Sequence, residues 1–148
     1  IMEVTYNIRL DGIQVVEKLL FKANIVDTDQ FHFDIKSQSL VDHDKKLIII
    51  VIQVKIFKNQ ETNQVAQFVI ALAYAIQEFD SIVKRDDNTH TIPLELENLL
   101  KSITLSTMRG IMFSELRGTH LNNAVLPVVS IDSFKPMEGS LVEITKDK

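Results

Sequence analysis

The chain has 148 residues, 45% of them hydrophobic and 24% charged, with a net charge of −4 and no cysteine. That apolar content suffices for a packed core and is too high for disorder over most of the length, and the size suits one domain over residues 1–148. The acidic balance argues against a nucleic-acid binder that works by neutralising phosphates and against a polybasic membrane surface, while the absence of cysteine excludes disulfides, thiolate nucleophiles and cysteine-ligated zinc and suits a reducing cytoplasm.

No basic segment leads into an apolar stretch at the start, so no secretory signal is expected. The longest apolar runs, 47–52 and 68–76, are too short to form a membrane-spanning helix. Val4, Tyr6, Ile8 and Leu10 alternate with polar residues, the period of a half-buried strand. Asp11-Gly12 supplies a turn or a bulge, and strand character resumes over 13–21. Residues 22–30 read as a polar link. Phe31, Phe33 and Ile35 alternate with His32, Asp34 and Lys36 in a second strand, and Asp42-His43-Asp44-Lys45 reads as a polar break. That break could ligate a cation, but a turn uses the same residues, and the turn is the simpler reading.

Residues 46–58 give the strongest strand signal. Ile48, Ile50, Ile52, Val54 and Ile56 form one apolar face, and Leu47, Ile49 and Val51 make half of the other apolar too. A sheet with one wet face has no need of that, so a helix or another subunit is expected to cover it. After a turn at 59–63, residues 65–79 alternate large side chains (Phe68, Ile70, Leu72, Tyr74, Ile76) with small ones (Val69, Ala71, Ala73, Ala75). The size alternation favours a strand over a helix. Residues 84–88 read as a loop. Thr91 is a suitable helix N-cap, with Pro93 and Glu95 in the first turn, and the helix is predicted to reach Leu116 and stop at Gly118. Leu96, Leu99, Leu100 and Ile103 form one apolar stripe and Leu105, Met108 and Met112 part of a second, so the helix needs cover on two sides. Leu126-Pro127-Val128-Val129 reads as a short extended piece, and Pro136 and Gly139 introduce a loose tail over about 135–148.

Catalytic chemistry is not visible. The four histidines lack metal-ligand spacing, and the four glycines are too scattered to cradle a phosphate. No nucleophile motif or carboxylate pair is present at a recognisable spacing, so no enzyme activity, metal or cofactor is expected. Gly110 inside the predicted helix costs about 1 kcal/mol relative to alanine, which points to close packing there or to another chain approaching the backbone. Most of the aromatic residues are expected in the core, but Phe21, Phe31 and Phe33 flank the polar link, and such positions can line a groove or an interface.

Ser106-Thr107-Met108-Arg109-Gly110, Phe113, Arg117-Gly118-Thr119-His120-Leu121-Asn122 and Leu126-Pro127-Val128 together resemble the helix end and following loop of SecB-like export chaperones. The motif covers about thirty residues, and the order of strands before one long helix extends the likeness over most of the chain. The resemblance implies an α+β fold, a four-stranded antiparallel sheet with a long C-terminal helix. It also implies a homo-oligomer, a dimer of dimers with helices sandwiched between sheets. The implied function is ATP-independent capture of unfolded or pre-secretory polypeptides in apolar grooves, with Phe21, Phe31, Phe33, Leu105, Met108 and Met112 as the groove candidates. The implied partners are unfolded clients together with a SecA-type motor or a toxin–antitoxin pair. Two departures accompany it: Pro136 and Gly139 interrupt the region where the family has a further helix, and the link has no tryptophan. A purely structural self-assembly module and a small-ligand site built across strands are the competing readings.

Overall fold

The computed structural model describes residues 5–59 and 62–137. Four long strands come first: β1 (Ile8–Leu20), β2 (Phe31–Asp42), β3 (Leu47–Lys58) and β4 (Gln64–Ile76). A one-turn helix α1 (Phe79–Ile82) leads to a small hairpin of β5 (Lys84–Asp86) and β6 (Thr89–Thr91). The long helix α2 (Leu94–Leu116), a 3-10 turn (Ile131–Ser133) and a two-residue strand β7 (Lys135–Pro136) complete the order.

The main sheet runs β1-β4-β3-β2-β7. It has five strands rather than the four expected, and it is mixed, because β7 pairs parallel to β2 at Lys36 and Ser37. The first residues of the supposed loose tail, Lys135 and Pro136, are therefore sheet residues, and the tail beyond Met137 lies outside the described residues. Strands β2, β3 and β4 follow one another through two hairpins, whereas β1 pairs with β4. The link 22–30 thus carries the chain across the sheet from one edge region to the other. Asp29 anchors it: its carboxylate accepts from the Val26 amide at 2.8 Å and from the Asn59 side chain at 3.2 Å, while Lys58 donates to the Asn24 carbonyl at 3.0 Å.

Several local expectations need correction. Asp11-Gly12 does not turn the chain; β1 continues through a register shift between Leu10 and Gly12, a bulge that keeps both pieces against β4. Val4, expected in that strand, lies outside the described residues. Residues 84–88 are not a simple loop, since Lys84 pairs with Thr91 in the small hairpin. That pairing commits Thr91 to a strand. Proline holds the preceding Ile92 out of helical geometry, so the helix starts only after Pro93, with no side-chain cap. Residues 77–79 leave the fourth strand because Glu78 takes a positive φ of 59°. At the polar break, the Asp42 carboxylate accepts from the Lys45 amide at 3.1 Å, the bond of a turn.

The main core lies between the sheet and α2. Ile48, Ile50, Ile52, Val54 and Ile56 of β3 and Phe68, Ile70 and Leu72 of β4 are fully buried beneath Leu96, Leu100, Met108, Met112 and Leu116. Each such side chain contributes roughly 1.5–3 kcal/mol by leaving water. Tyr74 is the polar exception. Its hydroxyl lies 2.7 Å from the Thr104 hydroxyl, which itself meets the Leu100 carbonyl at 2.7 Å, and burial pushes the phenol above its ordinary value. A second cluster occupies the opposite sheet face, where Leu40, Leu47, Ile49, Val51 and Val69 are bordered by Ala71, Ala73, Ala75 and Met137.

Candidate functional site

The six residues singled out as groove candidates do not converge on one open surface. Phe31 and Phe33 pair with Lys58 and Ile56, on the helix side of the sheet, and both are half-buried against the main core. Leu105, Met108 and Met112 belong to that same core and are buried. Helical periodicity could not separate a groove face from a core face here, because both consist of long apolar side chains. Five of the six therefore form one cluster, with the two phenylalanines at its rim and the helix residues inside it.

Phe21 stands apart. It is 37% exposed and lies at the start of the link, where its amide donates to the Val65 carbonyl at 2.9 Å and its carbonyl meets His120 Nε2 at 2.9 Å. Its ring borders a shallow depression of about 500 Å³ with Phe57, Lys55 and residues 62–64. His120 belongs to the loop after α2, so the link and that loop are tied together at Phe21. The same loop is tied to the helix by Arg109, whose guanidinium donates to the Leu126 carbonyl at 3.1 Å and the Pro127 carbonyl at 3.0 Å. The Arg-Gly and Leu-Pro parts of the sequence motif thus meet in space.

Further exposed apolar residues lie outside the six groove candidates. On β1, Leu10, Ile13 and Val15 pair with Tyr74, Leu72 and Ile70, which places them on the helix side of the sheet. Helix α2 packs over β3 and β4, leaving these three exposed, Ile13 at 51%. Lys18 bridges from β1 to Glu115 of α2 at 3.1 Å. On the helix, Leu99, Ile103, Ser106, Gly110 and Phe113 recur at alternating spacings of four and three and are all exposed, Phe113 at 56%. That spacing makes a straight seam along a helix, the pattern by which helices pack on one another. An added Cβ at Gly110 would meet nothing within 4 Å. No contact inside the described chain therefore requires a glycine there. The signal for this seam was present in the sequence, but Leu99 and Ile103 merge with Leu96 and Leu100 into one broad stripe until the sheet fixes which side is covered.

A polar slot of about 590 Å³ lies between residues 38–41 of β2 and residues 88–92 around β6. Its lining includes one carboxylate, Glu97, which accepts from the Ser39 hydroxyl at 2.7 Å and sits 3.8 Å from Lys101. Beside it, the rings of His43 and His90 are 5.6 Å apart. Among the described residues, no group of three histidine or carboxylate side chains is placed to hold a metal ion, and no helix is long and apolar enough to cross a membrane.

By sequence, no family model matches the chain, and neither does any curated protein. By structure, the chain is similar to a Mycobacterium tuberculosis SecB-like chaperone, Rv1957, solved in complex with a ChAD peptide from the HigA1 antitoxin. The TM-score is 0.59 at 10% identity, over 83% of this chain and 90% of that one. A protein of unknown function from Streptococcus agalactiae matches with a TM-score of 0.37 at 16% identity, over 76% of this chain and 90% of the other. The fold is therefore SecB-like, and strongly diverged in sequence.

Proposed function

We propose that this chain is a SecB-like chaperone that captures unfolded polypeptide segments without ATP, cofactor or catalytic step, acting in the cytoplasm as a homo-oligomer. The observation that carries the reading is a SecB-like fold with a continuous supply of exposed apolar side chains on β1 and on the outer seam of α2. A monomer gains nothing from leaving Leu10, Ile13, Leu99, Ile103 and Phe113 in water, and patches of this kind mark sites of association. The edge strand β1 and the seam of α2 supply the contacts between copies, arranged as a dimer of dimers. Gly110 allows two helices to approach closely.

Clients bind at the rim formed by Phe31 and Phe33 and at the Phe21–Phe57 depression. One buried apolar client side chain contributes roughly 1.5–3 kcal/mol, and ordering an unfolded segment costs about 2–5 kcal/mol or more, so single contacts do not suffice. Several such sites on one oligomer raise avidity without requiring high affinity at each. Between the two partner classes, a toxin–antitoxin pair is favoured over a SecA-type motor, because the similar M. tuberculosis chaperone was solved with an antitoxin peptide.

The reading is tested by titrating the chain with reduced, carboxymethylated α-lactalbumin and with the folded form, followed by anisotropy, alongside light scattering of the free chain. Binding of the unfolded form alone by an oligomer supports it. An oligomer that ignores unfolded polypeptide leaves the self-assembly module in its place.

A further inference from the structure

The depression beside Phe21 holds a cation that its neighbours do not balance. Lys55 and Phe57 lie two positions apart on β3 and so share the sheet face away from α2. Lys55 is half-buried and makes no hydrogen bond or ion pair among the described residues. The carboxylates on the flanking strands are engaged elsewhere. Asp34, its cross-strand partner on β2, lies 3.6 Å from Lys135. Glu17 of β1 accepts from the side chain of Gln67, the cross-strand partner of Lys55 on β4. Gln64, also at the margin, carries a second unmet demand, since its buried side-chain oxygen has no hydrogen-bond partner among the described residues.

The rest of the depression is aromatic. Phe21 and Phe57 border it, and the His32 ring, 6.0 Å from that of Phe57, continues the surface beyond. We propose that this depression selects client segments in which an apolar side chain stands next to a carboxylate, the apolar side chain against Phe21 and Phe57 and the carboxylate on Lys55. This rests on the chaperone reading and names the class of segment that this site prefers.

Lysine suits a site that must accept many sequences. Its stem packs along apolar surface while the ammonium stays at the rim, and a compact charge with three rotatable donors meets a carboxylate in many orientations. A client backbone N–H next to the bound side chain can satisfy the Gln64 oxygen, whatever the client's sequence. The overall charge of −4 repels acidic segments, so a preference for a carboxylate has no source in the field of the whole chain. At physiological salt that repulsion is screened beyond about 8 Å, whereas the direct contact at Lys55 persists.

The test compares two forms of reduced α-lactalbumin, one with its thiols carboxymethylated and one with them carbamidomethylated, which differ by a carboxylate against an amide of nearly the same shape. The full chain, Lys55→Met and Lys84→Met are each titrated with both forms. Lys84→Met makes the same change in net charge at an exposed position of the β5–β6 hairpin. The ratio of the two affinities is expected to shift against the carboxylate form by about two- to fivefold in Lys55→Met, the effect of one lost ion pair, and to stay nearly constant in Lys84→Met. Lys55→Gln gives the same comparison if the methionine variant does not fold. An unchanged ratio in the Lys55 variant, or an equal shift in both variants, overturns the inference and leaves the chaperone reading standing. Binding of neither form by the parent rejects the chaperone reading and this inference with it.

Discussion

Gly110→Ala separates the two demands placed on the outer seam of α2. Within one chain the substitution is favourable. Residue 110 is exposed in a helix interior, the new Cβ meets nothing within 4 Å, and alanine gains about 0.8–1 kcal/mol over glycine in that setting. Between chains it is unfavourable. If two helices meet at Gly110, the added methyl enters a packed contact, and overpacking costs typically about 1–3 kcal/mol. At about 1.4 kcal/mol per factor of ten, association weakens from about fivefold to more than a hundredfold. Urea unfolding at low protein concentration measures the first effect and sedimentation velocity over a dilution series the second. The account predicts opposite signs: a more stable dissociated chain and a weaker oligomer. A variant that is more stable and assembles as well as the parent refutes the placement of Gly110 in an interface.

Three other expectations follow from the core, the loop clamp and the link. Met108→Ala removes a fully buried side chain and is expected to cost about 2–5 kcal/mol in urea unfolding, whereas Phe21→Ala, at a half-open position, changes stability by less than about 1 kcal/mol yet weakens binding of unfolded polypeptide severalfold. Equal loss of stability in both variants would contradict the assignment of one to the core and the other to the surface. Arg109→Met removes both guanidinium bonds to the Leu126 and Pro127 carbonyls, so unfolding is expected to cost about 1–3 kcal/mol less and proteases to cut faster between residues 117 and 130. The Asp29 carboxyl is held below its usual range, chiefly by the Val26 amide and further by Asn59 and the charge of Lys58. A depressed carboxylate adds stability that is complete above the unfolded value of about 3.9 and is lost as pH falls through the folded value. The difference in urea midpoint between the parent and Asp29→Asn should therefore hold steady from pH 8 to 5 and shrink below about pH 4, and a difference that persists at pH 2 would contradict the role given to this carboxylate.

Much of the fold was legible because its strongest signals are local. Ile48, Ile50, Ile52, Val54 and Ile56 keep one face of residues 47–58 apolar at every second position, and the large–small alternation from Phe68 to Ile76 favours a strand over a helix. The helix end at Leu116, just before Gly118 with its positive φ of 77°, was readable for the same reason. Elements made by tertiary pairing were not. The β5–β6 hairpin consists of short polar segments with no hydrophobic period, and β7 exists only because residues 135–136 fall beside Ser37. The candidate surface was less legible than the fold. Sequence finds apolar stripes on α2 but cannot say which the sheet covers, so Met108 and Leu105 resembled groove residues while Leu99 and Ile103 resembled core. Phe21 was found by its position beside the link. Leu10 reads as the apolar side of a half-buried strand and Ile13 and Val15 only as strand residues, since nothing local reveals that β1 is an edge that α2 leaves largely uncovered.

The central claim is capture of unfolded polypeptide, and equilibrium titration of the full chain with reduced, carboxymethylated α-lactalbumin tests it most directly, with the folded form of the same protein as control. The account predicts micromolar or tighter binding of the unfolded form, no binding of the folded form, and no dependence on ATP. A folded oligomer that binds neither form would contradict it.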